Sequence, residues 1–525
     1  MILRALAWTI ASVVAMTAPW ASAQTVRIDA GSLVGVTADG VTAFLGVPYA
    51  APPVGDLRWR PPQAPIAWNA VRHAEAFAPA CPQVGVSMPG EPAPSSDEDC
   101  LYLNVWSPGP MGAGRPVMVW IPGGGYTNGS AALPLYWGDR LARRGVVVVT
   151  LNYRLGALGF LAHPELSAES GAASSGNYGL MDQLAALRWV QRNVAAFGGD
   201  PANVTVFGQS AGAMSISLLM ASPQATGLFH RAIAQSGGVF EPIQLAPNYL
   251  LANAEQDGVA FARGLGAASI AELRALPAAS LLAMQDRVSH PVIEPVVLPR
   301  SPYEAYVVGS FADVPLLVGS NAEEARSLID VSATTAETFS ADIQRAWGPL
   351  PPPLLAAYPF ADDDQARTAR LEFDRDLRFG WDMWAWARLH AEASRHPVYY
   401  YRFSHRPPFE TGTVREDWGA GHFAELWYMF DHLDQETWAW SEHDRRLADL
   451  MASYWVGFAH KGDPNDAGMP IWPAFKSDQQ QLMDFGAEVR PAPAPGVSQL
   501  GIFDAVYDSV RGQTFGRTEP PERQE

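Results

Sequence analysis

Lysine is almost missing from this chain: Lys461 and Lys476 are the only two among 525 residues. Arginine therefore carries nearly all of the positive charge. Acidic residues still outnumber basic ones, 54 to 36, for a formal net charge of −18. That balance argues against nucleic acid or an anionic membrane as a partner. Cysteine is just as scarce, with Cys81 and Cys100 alone. No Cys/His group has zinc-ligand spacing, so no zinc site is expected. No apolar run is long enough to span a bilayer comfortably, so stable membrane association is not expected. Internal repeats and clear linkers are also absent.

The N-terminus reads as an export signal. Arg4 supplies the short positive region, Ala5 to Ala18 is apolar, and Ala21-Ser22-Ala23 is a small-residue cleavage site before Gln24. Residues 1–23 are thus expected to be a signal peptide, with an uncleaved anchor as the competing reading. The mature chain would be secreted or periplasmic, and the alanine-rich signal and arginine bias fit a bacterial source. In an oxidising compartment Cys81 and Cys100 are expected to pair. The bond would close a Pro/Ser-rich loop and stabilise the fold by roughly 3 kcal/mol. A pair of buried free thiols is the alternative.

What remains is rich in apolar and aromatic residues, enough for a large core. Residues 25 to 60 alternate apolar and polar positions and predict an antiparallel entry sheet. From about residue 115 the pattern becomes βαβ. Strands are predicted at Val117–Ile121, Val146–Thr150, Val204–Phe207, Val314–Val318 and Pro397–Tyr401, and a helix over 180–197. Continuous β-branched runs separated by helices indicate an α/β fold with a parallel sheet covered on both faces. Residues 245–290 and 335–392 read as helical caps, and the Pro-rich spots at 349–353 and 491–496 as surface loops. Residues 24–512 are expected to form a single catalytic domain, followed by a disordered tail over 513–525.

The chemistry gathers around Ser210, in Gly208-Gln209-Ser210-Ala211-Gly212. A strand precedes this pentapeptide and a helix of small residues follows, the setting a nucleophile elbow needs. A serine hydroxyl is a weak nucleophile until an oriented base takes its proton. The acid is sought just past a later strand, where Val318-Gly319-Ser320-Asn321-Ala322-Glu323-Glu324-Ala325 ends a strand and turns. Glu323, Glu324 and, further on, Asp330 are the candidates. Gly419-Ala420-Gly421-His422-Phe423 places an imidazole in a glycine loop, and His405 and His432 also follow the acid. Upstream, Pro122-Gly123-Gly124-Gly125-Tyr126 offers backbone N–H groups for an oxyanion, together with the N–H of Ala211.

With these motifs the chain resembles the type B carboxylesterase, or cholinesterase-like, group of α/β-hydrolases. The resemblance covers most of residues 25–510. Its most specific pieces are Glu98-Asp99-Cys100-Leu101-Tyr102-Leu103-Asn104-Val105, the glycine-rich loop, and Phe197-Gly198-Gly199-Asp200-Pro201 running into Gly208 to Gly212. It implies an α/β-hydrolase fold: a large mixed central sheet flanked by helices on both faces, with helical cap insertions. It further implies Ser210 as nucleophile, Glu324 as acid, His422 as base, and Gly124, Gly125 and Ala211 as oxyanion donors. Glu324 is preferred over Glu323 because it precedes the small residue where the family's glycine falls. Cys81–Cys100 matches the family's first disulfide, and Ser236 matches a position that supports the acid by a hydrogen bond.

The implied function is an exported serine hydrolase that cleaves small-molecule carboxylic esters through an acyl-enzyme, with no metal or organic cofactor implied. The alternatives are a lipase acting on long-chain esters, or a non-catalytic adhesion or binding protein on the same fold. Oligomeric state is left open. Three departures bear on substrate. Gln209 stands where relatives carry glutamate, and the Cys81–Cys100 loop lacks the tryptophan that holds a quaternary ammonium in choline-binding relatives. Pro122 replaces an aromatic or histidine residue but removes no oxyanion donor. The tryptophans at 381, 384, 386, 427, 438 and 440 either line a gorge or pack the core.

Overall fold

The computed structural model describes residues 24–512, apart from 87 and 110. The expected signal peptide and C-terminal tail lie outside the described residues. Two sheets form. A small one joins β1 (Thr25–Ile28), β2 (Gly31–Val34) and β5 (Arg72–His73). The large sheet has 11 strands in the order β14-β13-β12-β11-β10-β9-β7-β8-β6-β4-β3. Its members are β3 (Val36–Ala38), β4 (Val41–Pro48), β6 (Tyr102–Pro108), β7 (Arg115–Ile121), β8 (Val147–Leu151) and β9 (Gly199–Gln209) on one side. Beyond them lie β10 (Arg231–Gln235), β11 (Leu316–Asn321), β12 (Val398–Phe403), β13 (Gln481–Phe485) and β14 (Val489–Pro493).

Every contact from β13 through to β8 is parallel, whereas β3, β4, β6 and β14 add antiparallel edges. Alternate residues of the central strands enter opposite cores. Val117, Val119 and Ile121 face one apolar cluster, and Met118 and Trp120 face the other. This two-sided burial is why the strands read as continuous apolar runs. The helices Tyr178–Asn193, Ala211–Ala221 and Trp381–Ala393 put buried residues into the first cluster, and Glu442–Lys461 into the second.

Several boundaries differ from the sequence expectation. The entry strands divide between the two sheets instead of forming one, and residues 49–60 hold no strand. The helix predicted over 180–197 closes as a 3₁₀ turn, Val194–Phe197. Residues 491–493 are not loop but belong to β14, which pairs with β13. The edge position is the reason: Pro491 and Pro493 lack N–H groups, which an edge strand does not need on its open side. The strands expected at 314–318 and 397–401 both run on, to Asn321 and Phe403, and so carry the acid segment to the carboxyl edge of the sheet.

Candidate active site

The elbow forms where β9 stops at the carboxyl edge and the helix Ala211–Ala221 begins. Ser210 sits there at φ 56° and ψ −127°, a left-handed conformation that a side-chain-bearing residue adopts only under constraint. Its N–H donates to the Gln235 carbonyl at 2.9 Å, which ties the turn to β10. Glycine is required at 212 because a Cβ there would lie 2.0 Å from the Ile121 carbonyl oxygen. That close approach of helix and strand leaves Ser210 partly exposed while its neighbours are buried.

Glu324 and His422 meet behind it. Nδ1 of His422 lies 2.6 Å from Oε2 of Glu324, and both side chains are buried. The other carboxylate oxygen accepts the Ser236 hydroxyl at 2.5 Å and the Asn321 N–H at 2.7 Å. Three donors thus fix the carboxylate and, through it, the imidazole. Ser236, like Ser210, holds a positive φ of 54°, at the end of β10. The 3₁₀ turn Glu324–Ser327 and the loop bearing His422 are joined by a bond from the His422 N–H to the Glu324 carbonyl.

Two neighbours of His422 escaped the sequence reading. Phe379 stacks on the imidazole with ring centroids 4.6 Å apart and planes 6° apart. It projects from a π-helical turn, Asp376–Gly380, a device that re-aims side chains at functional sites. Gln209 was noted for the charge it removes, but its contact was not foreseen. Its Nε2 lies 3.1 Å from Nε2 of His422, while its Oε1 is buried without a partner. Among the described residues the Ser210 hydroxyl has no hydrogen-bond partner, so serine and histidine are brought to one site without being bonded.

A second carboxyl lies behind the first. Glu425 is wholly buried, bonded to Asn321 Nδ2 at 2.5 Å and to Gln235 Nε2 at 3.1 Å. Burial, followed by the charge of Glu324, pushes it up to about 7.

Gly124 and Gly125 follow β7 with φ of 115° and 59°. A Cβ on Gly124 would collide with the Asn128 carbonyl at 2.2 Å, so only glycine fits. Among the described residues neither N–H finds a protein acceptor. Ala211 opens its helix, where the first N–H groups have no intrahelical partner. Those amides can receive an oxyanion. Among the described residues no cluster of His, Cys, Asp or Glu could hold a metal ion.

The competing residues are committed elsewhere. Glu323 bonds Arg406, Arg326 and the Ala420 N–H. Burial acts to raise its carboxyl, but those donors outweigh it and hold it low. Asp330 is exposed and caps the Ser332 N–H. His405 pairs with Asp444 at 2.7 Å, and His432 bonds the Leu135 carbonyl and Asp139. Trp381, Trp384 and Trp386 donate to Asp504, Gln480 and Tyr306 within the core. Trp427 and Trp438 pack around Arg415, which is paired with Glu91 and Glu436. Cys81 and Cys100 are joined in a disulfide, and Glu98 beside it clamps Arg58.

Comparison with known proteins places this chain in a family. The carboxylesterase family model matches residues 22–349 and 353–498. The chain is similar to fumonisin B1 esterase of Sphingopyxis macrogoltabida, 38% identical over 519 residues, covering 94% of this chain and 93% of that protein. It is 35% identical to para-nitrobenzyl esterase of Bacillus subtilis (strain 168), covering 89% and 95%. A solved PNB esterase superposes with a TM-score of 0.79 at 33% identity, over 92% of this chain and 100% of that one. The chain belongs to the carboxylesterase family and is a carboxylic ester hydrolase on the α/β-hydrolase fold.

Proposed function

We propose that this chain is an exported serine esterase acting on small carboxylic esters through an acyl-enzyme. Ser210 Oγ attacks the carbonyl carbon while His422 Nε2 takes the hydroxyl proton. The carbonyl π electrons move to oxygen, and the oxyanion rests on the N–H groups of Gly124, Gly125 and Ala211. As the tetrahedral centre collapses, the ester C–O bond breaks and His422 protonates the leaving alcohol. Water then attacks the acyl-enzyme by the same route and frees Ser210. Glu324, held by Ser236 and Asn321, keeps the Nδ1 proton in place so that Nε2 carries the lone pair.

The observation that carries this reading is the 2.6 Å contact between Glu324 and His422 at the same carboxyl edge as the Ser210 elbow. For Ser210 to be activated, the Gln209 amide must give up Nε2 to the serine hydroxyl. The absence of a tryptophan in the Cys81–Cys100 loop and the neutral side chain at Gln209 argue against a choline ester. Export rests on the Arg4 to Ala23 pattern, and the disulfide is compatible with it.

The test is hydrolysis of p-nitrophenyl butyrate, with an organophosphate label mapped by mass spectrometry. The label is expected on Ser210, and Ser210→Ala is expected to lose hydrolysis. Full activity in that variant would sink the assignment. A panel containing fumonisin B1 and p-nitrobenzyl esters, after which two relatives are named, then defines the acyl and alcohol preference.

A further inference from the structure

One short hydrogen bond anchors the His422 ring. Its Nδ1 lies 2.6 Å from Glu324, and a bond at one corner leaves the imidazole free to swing about that contact. Gln209 Nε2 lies 3.1 and 3.3 Å from the two ring nitrogens, so it favours neither as a second anchor. Among the described residues the Ser210 hydroxyl has no hydrogen-bond partner and does not hold Nε2. The plane of the ring is left to packing.

Two aromatic rings supply that packing. Phe379, which is buried, lies parallel to the imidazole, with centroids 4.6 Å apart and planes 6° apart. Phe423 meets the same ring edge-on, at 4.5 Å and 62°. Phe379 owes its place to the π-helical turn Asp376–Gly380, set between the helices Asp363–Arg375 and Trp381–Ala393. Such a turn fits an extra residue into a helix and so rotates the side chains that follow. The turn is itself pinned. Asp376 accepts two bonds from Arg375, at 2.7 and 2.8 Å, and one from the Tyr358 hydroxyl at 2.8 Å. Gly380 leaves room for that carboxylate, since a Cβ there would lie 2.6 Å from Asp376 Oδ1.

We propose that Phe379 is a positioning residue for the base: its flat face sets the plane of the His422 imidazole and keeps Nε2 within reach of the Ser210 hydroxyl and the leaving alcohol. The proposal rests on the esterase reading. Glu324 holds one corner of the ring and Phe379 holds its face, and together they leave one orientation. An aliphatic side chain of similar volume fills the same space but presents no flat surface to stack on. The cost of losing that surface falls on geometry. A base displaced by about 1 Å lowers turnover by as much as about 10²-fold, whereas substrate binding does not pass through the imidazole plane.

The experiment compares Phe379→Leu and Phe379→Tyr with the wild-type full chain on p-nitrophenyl butyrate. Phe379→Leu is expected to lower kcat by about 10–100-fold with KM within about twofold, and Phe379→Tyr, which keeps the flat face, to stay within about threefold of wild-type kcat. Crystals of the wild-type protein are expected to show one imidazole orientation, parallel to Phe379. Crystals of F379L are expected to show the ring turned out of that plane or split between two orientations. A kcat in F379L within about threefold of wild type, an equal loss in F379Y, or an unchanged imidazole plane in F379L would overturn the proposal. Should F379Y fail to fold, the F379L crystals decide. A wild-type protein without hydrolysis would sink the esterase reading alone, because the imidazole plane is read without turnover.

Discussion

The side-chain amide nitrogen of Gln209 lies 3.1 Å from Nε2 of His422, the ring nitrogen that the Ser210 proton would have to reach. The same nitrogen lies 3.3 Å from Nδ1, which Glu324 already engages, so an uncharged group sits against the ring nitrogens of the base. A carboxylate in the same place would instead stabilise the imidazolium. Gln209→Glu is therefore expected to move the acidic limb of the kcat/KM profile upward by about one pH unit. Gln209→Ala is expected to leave that limb in place. A pH–rate series with p-nitrophenyl butyrate measures both, and an unmoved limb in the Glu variant would remove Gln209 from control of the base.

Glu323 and Glu324 are adjacent in sequence but make different contacts, Glu324 with His422 and Glu323 with Arg406, Arg326 and the Ala420 amide. Glu324→Gln is expected to lower kcat by about 10³–10⁴-fold, because the imidazole loses the partner that sets its tautomer and orientation. Glu323→Gln frees Arg406, Arg326 and the Ala420 amide, so its effect is expected on stability with kcat within a few-fold of wild type. Paired kinetics and melting curves separate the two. A kcat loss of equal size in both variants would contradict this division.

Glu425 makes stability depend on pH. Its folded value of about 7 lies above the ordinary 4.5, so the folded protein retains a proton that the unfolded chain has released. Stability is full below about pH 4.5 and is lost as pH rises towards about 7. Glu425→Gln keeps the hydrogen-bonding shape without the ionisation, and is expected to flatten the fall in Tm across that window. Melting curves from pH 5 to 8, on the order of half-unit steps, check it. Parallel curves for both proteins would contradict the assignment.

The Cys81–Cys100 disulfide closes the loop that carries Glu91, a partner of Arg415 in the tryptophan cluster. Replacing both cysteines by serine is expected to cost about 3 kcal/mol and to loosen that loop. Urea unfolding with and without reductant measures the loss. Full reductant sensitivity in the double variant would show that the effect comes from elsewhere.

Much of the architecture was legible because it is written in local pattern. Val117–Ile121 and Val147–Leu151 are apolar throughout, since both faces of those strands are covered, and that alone announces a parallel sheet. The Pro-rich stretch at 491–493 misled because proline argues against a strand everywhere except at an edge, and edge position is a property of the assembled sheet. Gly212 could be read as a close approach, although the partner it meets, the Ile121 carbonyl, lies 91 positions away.

By itself the sequence determined the α/β fold, and it pointed to the elbow at Ser210, the glycine amides and the order of the proposed acid and histidine. Each is a short motif whose chemistry resides in neighbouring residues. Only the tertiary structure decided which glutamate faces His422, that Phe379 stacks on it, and that Gln209 lies against its ring nitrogens. Those relations join segments separated by up to 213 positions, and they depend on strand register and turn geometry, which local pattern does not encode.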